Sequence, residues 1–424
     1  MTASETETAI AYLRSPLSIR ARCENILDAG CRGRLAHFGI DLAALPRVID
    51  EVVTVTRERY PTLEIPVHGR INHFRVGGAD RVAELDADIG EMRSDARARI
   101  WIDLIVISVL LDAGAGDRWR YREASTGLTL RRSEGLAVAS LRAFEEGLFS
   151  SDPGNDPLRV DAKALRTLDA AKLAAAFQVS GDNPLVGFDG RVGLARALGD
   201  ALAAAPTIFL GERPGGLLDH LQWIALERRA PSGSVARGLA TNIDAPSILT
   251  ALLEGLGPIW PGRIELAGVN LGDVWPHPAA GGTGPSAGLV PFHKLSQWLA
   301  YSLFEPLSRA GLSVTQVGAL TALPEYRNGG LLVDLGLLVP KHAAVREQAH
   351  AVGDEVIVEW RALTVALLDR VAEGVRERLG KTPGELPLAN ILEGGTWAAG
   401  RAVASRLRPT GGPPIEIKSD GTVF

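Results

Sequence analysis

The sequence predicts a mainly α-helical protein with small β-hairpin additions. Apolar residues recur with the 3.6-residue period of a helix along most of the 424-residue chain. Stretches that alternate between polar and apolar residues are few and short. A hydrophobic content of 46% with 22% charged residues is sufficient for one large core or for two to three packed domains.

Helical periodicity marks nine segments. They cover residues 20–27, 46–60, 94–111, 133–148, 162–176, 192–204, 246–256, 291–303 and 352–379. Pro246 and Pro291 suit the first turn of their helices, where the missing amide hydrogen would have no helical partner.

Two hairpins are predicted. The first covers residues 119–131, which alternate around the turn Ser125-Thr126-Gly127. The second covers residues 415–424, where Asp420-Gly421 is a favoured two-residue turn.

Two segments dense in turn residues interrupt the chain, at 150–157 (SSDPGNDP) and at 277–288 (HPAAGGTGPSAG). We expect an N-terminal helical region with a hairpin over residues 1–150. A C-terminal helical region over residues 151–424 would carry much of the pocket. The alternative is one integrated domain.

The charge and the cysteines narrow the class of protein. The formal net charge of −5 gives no reason to expect a nucleic-acid partner, although a local cationic pocket could hold one phosphate. Cys23 and Cys31 have no zinc-site spacing and are typical of a reducing compartment. The apolar stretch 100–111 is too short for a membrane span and contains Asp103. We expect a soluble, cytoplasmic protein without a membrane or nucleic-acid partner, and nothing indicates an oligomeric state.

The most informative segment is 290–306, VPFHKLSQWLAYSLFEP. On a helix, five polar and aromatic residues share one narrow stripe. They are Lys294, Gln297, Trp298, Tyr301 and Glu305. Such a mixture is typical of a pocket wall, where aromatic rings stack and polar groups orient a ligand. The alternative is a helix–helix interface with Lys294 reaching to solvent.

A second segment, 320–338, contains a candidate catalytic turn. Glu325, Tyr326 and Arg327 follow a proline and precede Asn328-Gly329-Gly330, and such turns often present reactive residues. Asp334 stands alone in an apolar run. It either serves as a carboxylate beside a developing oxocarbenium ion or bridges parts of the structure.

A third region, 101–134, contains a candidate anion site. Asp112 lies where a helix gives way to the glycine-rich sequence AGAG, which is no dinucleotide fingerprint because Trp119 occupies the third glycine position. Arg131 and Arg132 precede a helix that Ser133 is expected to cap. Cations and free amides at a helix N-terminus favour a phosphate, and the alternative is an ordinary capped helix with solvated arginines.

The histidines predict no metal motif and no cofactor. His68, His73, His277 and His293 show none of the usual metal-ligand spacings, although a site assembled from distant ligands stays open. The sequence also lacks a nucleophile elbow, a phosphate loop and a Cys-His nucleophile signature.

Nine segments in order resemble the uracil-catabolism protein four family, over residues 13–338. They are LRSPLSIRARC, PVHGRINHF, SVLLDAGAG, RSEGLAVASL, NPLVGFDGR, ERPGGLLD, GDVWPHP, PFHKLSQWL and LPEYRNGGLLVDLG. The resemblance implies a role in pyrimidine breakdown that releases urea, at the stage of ribosylurea or its phosphate. The chemistry implied is hydrolysis of the bond between the anomeric carbon and the urea nitrogen.

Two of these segments are also similar to the queuosine-nucleotide glycosylases, helical proteins related in fold to DNA glycosylases. HKLSQWLAYSL resembles their KRAQ-type helix and LPEYRNGG their ADYRVPQ-type turn. This similarity implies a DNA-glycosylase-like architecture and metal-free hydrolysis. The turn acid is Glu325 instead of Asp, and the later helix acid is replaced near Ser302, so Glu305 or Asp334 could substitute.

These observations predict an N-ribosyl hydrolase that acts on a small-molecule sugar phosphate without a metal or organic cofactor. Glu325 is the preferred catalytic carboxylate, with a second acid from Asp112, Asp334 or Glu305. The alternatives are a metal-dependent amidohydrolase or deaminase that uses the histidines, and a non-catalytic binding protein of the same pathway. The candidate substrate-binding residues are Lys294, Gln297, Trp298, Tyr301, Tyr326, Arg327, Arg132 and His293.

Overall fold

Helices dominate the protein, which confirms the mainly α prediction. The computed structural model describes residues 3–112, 114–229, 242–260 and 264–418. Every strand in that part of the chain is only two or three residues long. The DNA-glycosylase-like part of the prediction stays a prediction.

The α-helices follow one another along the whole described chain. They are α1 (Ala3–Leu13), α2 (Pro16–Cys31), α3 (Leu45–Arg59), α4 (Arg81–Ile89), α5 (Ser94–Leu110), α6 (Arg132–Glu145), α7 (Ala162–Arg166), α8 (Ala170–Ala176), α9 (Phe188–Ala204), α10 (Leu217–Arg229), α11 (Ala245–Leu256), α12 (Lys294–Ser302), α13 (Phe304–Arg309), α14 (Tyr326–Asp334), α15 (Ala344–Glu347), α16 (Glu355–Leu379), α17 (Leu388–Ile391) and α18 (Trp397–Leu407). A π-helical turn, Leu392–Thr396, separates α17 from α18.

The strands form two-stranded pairs. They are β1 (Phe38–Ile40), β2 (Tyr121–Arg122), β3 (Thr129–Leu130), β4 (Asn242–Asp244), β5 (Glu265–Leu266), β6 (Val269–Asn270), β7 (Val274–Pro276), β8 (Leu289–Pro291), β9 (Ser313–Thr315), β10 (Leu338–Pro340), β11 (Ala349–Ala351) and β12 (Glu416–Lys418). Antiparallel pairs join β1 to β10, β2 to β3, β5 to β6 and β7 to β8. Parallel pairs join β4 to β9 and β11 to β12.

Capping residues explain where several helices begin. Asp244 accepts a hydrogen bond from the backbone amide of Ser247, and Pro246 lies in the first turn of α11 as expected. The segment expected as one helix over 162–176 is two helices. Asp161 caps α7 and Asp169 caps α8, so each helix has its own start.

Other helix boundaries differ from the sequence prediction. Pro291 ends β8, so α12 starts only at Lys294. A break at Leu303 separates α12 from α13 and places Glu305 on the second of these helices. The expectation that Ser133 caps a helix is wrong. Helix α6 starts at Arg132, and the Ser133 hydroxyl donates to Asp112 instead.

The first predicted hairpin is confirmed, since β2 pairs with β3 in the register Tyr121 to Leu130. The second prediction falls partly on residues that the structure does not describe, including Asp420 and Gly421. Its described strand, β12, pairs in parallel with β11.

The chain divides into two compact units, and each consists of segments that are distant in sequence. The first unit comprises Met1–His68, Gly262–Trp298 and Gln316–Phe424. The second comprises Gly69–Pro261 and Leu299–Thr315. The predicted boundary at residue 150 stays a prediction.

In the core of the first unit, α14 packs against both α16 and α18, and this packing requires two glycines. A Cβ atom at Gly329 would lie 2.7 Å from the indole nitrogen of Trp360, and one at Gly400 would lie 2.2 Å from the carbonyl oxygen of Arg327. Both distances are far below van der Waals contact. These glycines therefore allow a close approach that holds the N-terminal half of α14 in place.

The core of the second unit forms around α5, which is buried along most of its length. The buried Asp103 in this helix binds Arg213 and accepts backbone hydrogen bonds from Val160 and Gly215. The apolar stretch 100–111 is therefore part of a buried core helix, and its one acid, Asp103, has its hydrogen-bond partners within the protein. Among the described residues, every helix is either too short or too polar to span a bilayer.

Candidate functional site

Glu325 lies at the start of α14, where its carboxylate caps the helix. One oxygen accepts from the amide of Arg327 at 2.7 Å, and the other accepts from the amide of Asn328 at 2.6 Å. Ser, Thr, Asp and Asn are the usual caps, so the longer glutamate is an uncommon choice. The two amides hold the carboxylate in one orientation.

Burial and the neighbouring charges have opposite effects on the pKa of Glu325. Burial raises the pKa of Glu325, while the Arg327 amide and the positive charge of Lys294 act to lower it, and the net shift is upward. The effect of Lys294 shows that the helix and the turn selected from the sequence lie close together. The result is a buried carboxylate whose ionisation depends on a neighbouring cation.

Lys294 is held at the start of α12 by a buried ion pair. Its backbone amide donates to Asp273 at 3.0 Å, and Arg361 binds both oxygens of Asp273 at 2.8 Å. Burial acts to raise the pKa of Asp273, but Arg361 and the hydrogen bonds from Trp275 and Lys294 outweigh it, so the pKa lies well below its usual range. Asp273 therefore stays ionised and fixes the N-terminus of α12.

Gln297 joins α12 to the segment that leads to Glu325. Its amide nitrogen donates to the hydroxyl of Thr321 at 2.9 Å, and its carbonyl oxygen accepts from the backbone amide of Thr321 at 3.0 Å. The side chain is fully buried. We therefore interpret Gln297 as a clamp between the two segments of the candidate site.

A histidine–carboxylate pair lies next to Trp298, one helical turn after Lys294. The Nδ1 atom of His68 lies 2.8 Å from a carboxylate oxygen of Glu393, and the ring centroids of His68 and Trp298 are 6.4 Å apart. The hydroxyl of Tyr60 donates to the other oxygen of Glu393 at 3.4 Å. If Nδ1 carries the hydrogen, Nε2 is the basic atom of the ring and can exchange a proton with a ligand.

Glu393 is the residue of this cluster that sequence reasoning missed. It stands in LANILEGGTW, where one acid lies between apolar residues and two glycines. A lone acid in an apolar run was the reason for selecting Asp334, and the same pattern could have pointed to Glu393. Burial raises the pKa of the neighbouring Tyr60, and the charge of Glu393 adds to that shift.

Three other candidates of the first unit have structural contacts. Arg327 is buried, donates to the carbonyl of Gly411 at 2.6 Å and lies over the ring of Tyr326 at 4.9 Å. Arg408 binds both oxygens of Asp334 at 2.7 and 2.5 Å. This pairing matches the bridging role left open for Asp334.

The ring of His293 is buried in the first unit. Its Nε2 atom lies 2.9 Å from the carbonyl oxygen of Leu13. Burial lowers the pKa of His293 despite that contact. A neutral ring that donates to the backbone is a packing role, and His293 stays only a predicted ligand of the substrate.

The remaining candidates belong to the second unit. Asp112 is almost fully buried and binds Arg70 at 2.7 Å, and Arg70 was another residue that sequence reasoning passed over. Burial lowers the pKa of Arg70, with Asp112 opposing that shift. Glu305 binds Arg309 at 2.5 Å, and Tyr301 packs edge-on against Phe304.

In the predicted anion site of the second unit, Arg132 is the first residue of α6, and the role of the site stays a prediction. The side chain of Arg132 is 41% exposed and forms an ion pair with Asp117 at 3.8 Å. The Nδ1 atom of His73 accepts a hydrogen bond from the guanidinium of Arg70 at 3.1 Å. Arg132 therefore is the more accessible of these cations.

The fold and these contacts define a mainly helical protein with two candidate groups near α12. They are the buried carboxylate of Glu325, near Lys294, and the His68–Glu393 pair, near Trp298. Comparison with known families adds a more specific assignment. The family described as "Protein of unknown function (DUF1688)" matches residues 12–424, and the chain belongs to this family.

Two curated relatives align over almost the entire chain. "Protein urg3" of Schizosaccharomyces pombe is 42% identical over 429 residues, covering 99% of this chain and 100% of the relative. "Uracil catabolism protein 4" of Lachancea kluyveri is 38% identical over 452 residues, covering 99% of each chain. The family resemblance found in the sequence is thereby confirmed.

Proposed function

We propose that this protein takes part in uracil catabolism and hydrolyses the N-ribosyl bond of a ribosylurea-type intermediate, releasing urea. The name of the Lachancea kluyveri relative supports the pathway. The observation that carries the proposed chemistry is Glu325, a buried carboxylate fixed by two amides and influenced by Lys294. A carboxylate held in this way can stabilise positive charge at an anomeric carbon.

Glu325 acts in its ionised form. As the bond to the urea nitrogen lengthens, the anomeric carbon becomes cationic, and the carboxylate stabilises that charge or orients the attacking water. The amides of Arg327 and Asn328 fix its oxygens in advance, so little reorganisation is needed when the charge develops.

The leaving urea needs a proton, because urea is a poor leaving group as an anion. The protonated His68 ring, held by Glu393, can deliver it, and the neutral ring can then take one proton from the attacking water. This exchange uses the ring nitrogen that Glu393 does not hold. Asp334 is a weaker candidate for this step, because Arg408 binds both of its oxygens and favours the ionised carboxylate, which has no proton to give. Such acid assistance is worth roughly 10²–10⁴-fold in rate.

Lys294 has two candidate roles, which a substrate comparison separates. It can promote ionisation of Glu325, or it can bind a substrate 5-phosphate together with Arg327. In the first role Lys294→Met slows hydrolysis of ribosylurea and of its 5-phosphate equally. In the second role it slows only the phosphorylated substrate, by about one to two orders of magnitude for a lost charge-assisted hydrogen bond.

The deciding experiment incubates the purified protein with ribosylurea and with its 5-phosphate, and measures urea and the free sugar. We expect both products in equal amounts. Ammonia in place of urea would favour the amidohydrolase or deaminase alternative. Stoichiometric binding without turnover would favour the binding-protein alternative.

Glu325→Gln tests the catalytic assignment. Glutamine retains one oxygen that can cap α14 but removes the negative charge. Glu377→Gln, an exposed change on α16, is the matched control. Full activity of the Glu325 variant with an unchanged melting temperature would show that Glu325 is only a helix cap.

A further inference from the structure

We propose that His37, Glu355 and Glu359 form a binding site for one divalent metal ion in the first unit, separate from Glu325. One ring nitrogen of His37 and one carboxylate oxygen of each glutamate lie within 4.8 Å of one another. Ligand atoms about 2.0–2.2 Å from a metal ion lie about 3–4.4 Å apart. The 4.8 Å separation is close to that range, and the exposed side chain of Glu355 has room to move.

The two glutamates lie on the same face of α16, four residues apart. Like charges at this spacing destabilise a helix by roughly 0.2–0.5 kcal/mol. Glu359 is completely buried, which makes an uncompensated negative charge there costly. A cation between the two carboxylates would remove both penalties.

The hydrogen bonds of Glu359 leave one of its oxygens available. Its Oε1 atom accepts from the backbone amides of His37 at 3.0 Å and Phe38 at 2.7 Å. Its Oε2 atom is buried and has no hydrogen-bond partner among the described residues. Buried polar atoms nearly always have a partner, so this oxygen calls for a ligand.

His277 lies beside the same carboxylate oxygen of Glu359. It is also buried, and its Nε2 atom, likewise unpartnered in the described structure, lies 3.7 Å from Oε2 of Glu359. The Nδ1 atom of His277 accepts from the amide of Ala279 at 3.1 Å. The neutral ring therefore carries its hydrogen on Nε2, so His277 is suited to orient Glu359 and is not itself a ligand.

The ring of His37 has the arrangement that metal ligands commonly show. Its Nδ1 atom lies 3.0 Å from Nε2 of His342. When Nδ1 donates to His342, the lone pair is on Nε2. A ligating histidine usually donates its other ring hydrogen in this manner, which fixes the ring and raises its basicity.

A cleft of about 550 Å³ gives access to the cluster. His277, Glu355 and Glu359 are among its lining residues. One imidazole and two carboxylates suit a first-row divalent ion such as Mn²⁺ or Zn²⁺. His37 lies more than 300 residues before Glu355 and Glu359 in the sequence, which explains why the spacing of the histidines gave no sign of this cluster.

The test titrates Mn²⁺ into the full-length, tag-free protein and follows the electron paramagnetic resonance signal of free Mn²⁺. Manganese is the preferred probe because it binds thiolates weakly and Cys31 is exposed. We expect one bound ion per chain, displaced by Zn²⁺. His37→Gln and Glu355→Gln should each weaken binding at least tenfold, whereas Glu377→Gln on the same helix should leave it unchanged.

The proposal is overturned if the wild-type protein removes no Mn²⁺ from solution, or if all three variants bind it equally. Circular dichroism of each variant identifies a loss of folding. Glu359 is not substituted, because its carboxylate also binds two backbone amides. The readout is metal binding, so the outcome does not depend on the proposed hydrolase activity.

Discussion

Two buried carboxylates of the first unit, Asp273 and Glu325, differ in one respect that separates a structural role from a chemical one. Asp273 is bound at both oxygens by Arg361, and its pKa is lowered despite burial. Glu325 is held by backbone amides, and its pKa is raised by burial despite Lys294. A paired guanidinium thus fixes a charge permanently, whereas amides and a neighbouring cation leave it adjustable.

The two acids therefore affect stability with opposite pH dependence. Asp273 stabilises the fold above its ordinary pKa of 3.8, and this contribution declines below that value until the pH has fallen through the lowered pKa of the folded state. Glu325 has a raised pKa, so its charged form is disfavoured in the folded state. Its contribution to stability declines as the pH rises above its ordinary value of 4.5.

The largest expected effect is that of Glu325→Gln on catalysis. Loss of a preorganised charge at the reacting centre should reduce kcat/KM for urea release by roughly 10²–10³-fold. Steady-state kinetics on ribosylurea and its 5-phosphate measure this effect. Asp273→Asn serves as the comparison, because its loss of activity should follow its loss of folded protein. Equal kinetic defects at equal folded fractions would remove the distinction between the two acids.

The next effect is the destabilisation caused by Asp273→Asn. The change leaves Arg361 buried without its counter-charge, which should cost about 3–5 kcal/mol in the free energy of unfolding at pH 7. Denaturant unfolding measures it. The difference from the wild-type protein should narrow below pH 3.8, where the unfolded state takes up the proton first. A difference that is constant from pH 7 to pH 3 would contradict the proposed ion pair.

A smaller effect is expected at Asp334. Loss of its charged hydrogen bonds to Arg408 should cost about 1.5–3 kcal/mol of stability. If Asp334 is a bridging residue, Asp334→Asn should keep kcat/KM of the folded protein within about threefold of the wild-type value, because no group that acts in the transition state is lost. A loss of activity as large as that of Glu325→Gln would restore Asp334 as a catalytic acid.

Substitution of Lys294 should shift the pH dependence of kcat/KM. The charge of Lys294 lowers the pKa of Glu325, so Lys294→Met should move the acid limb of kcat/KM to higher pH. Lys294→Arg should keep the limb near its wild-type position because it retains the charge. An unchanged limb in Lys294→Met would mean that Glu325 is not the group whose ionisation limits the rate.

The smallest expected effect is the change in stability caused by Arg132→Ala. The side chain is 41% exposed and lies 3.8 Å from Asp117, and such surface pairs contribute about 0–1 kcal/mol. Thermal unfolding should therefore barely change. A selective loss of activity on the 5-phosphate, without a loss on ribosylurea, would assign Arg132 to phosphate binding.

Local sequence patterns anticipated much of the secondary structure. The helices expected at 94–111 and 246–256 are found at Ser94–Leu110 and Ala245–Leu256, since periodicity and capping are properties of neighbouring residues. The helix expected over 162–176 was wrong in its continuity. Two aspartates cap separate helices there, and a period count does not distinguish a cap from an exposed position.

The candidate site was anticipated only in its segments. The sequence selected Lys294 and Glu325, and the structure places the charge of one close enough to affect the other. The sequence gave no indication that Glu393 binds His68, which lies 325 residues away along the chain. Such partners are set by the packing of distant helices, which residue spacing does not encode.

The sequence by itself determined the mainly helical class, the family and the segments that carry unusual polar residues. Tertiary structure alone decided the state of each acid: Arg361 beside Asp273, Arg408 beside Asp334, and amides with a nearby lysine at Glu325. The physical reason is that helix formation depends on neighbouring residues, whereas the pKa of a buried acid depends on the charges and dipoles that folding brings within a few ångströms.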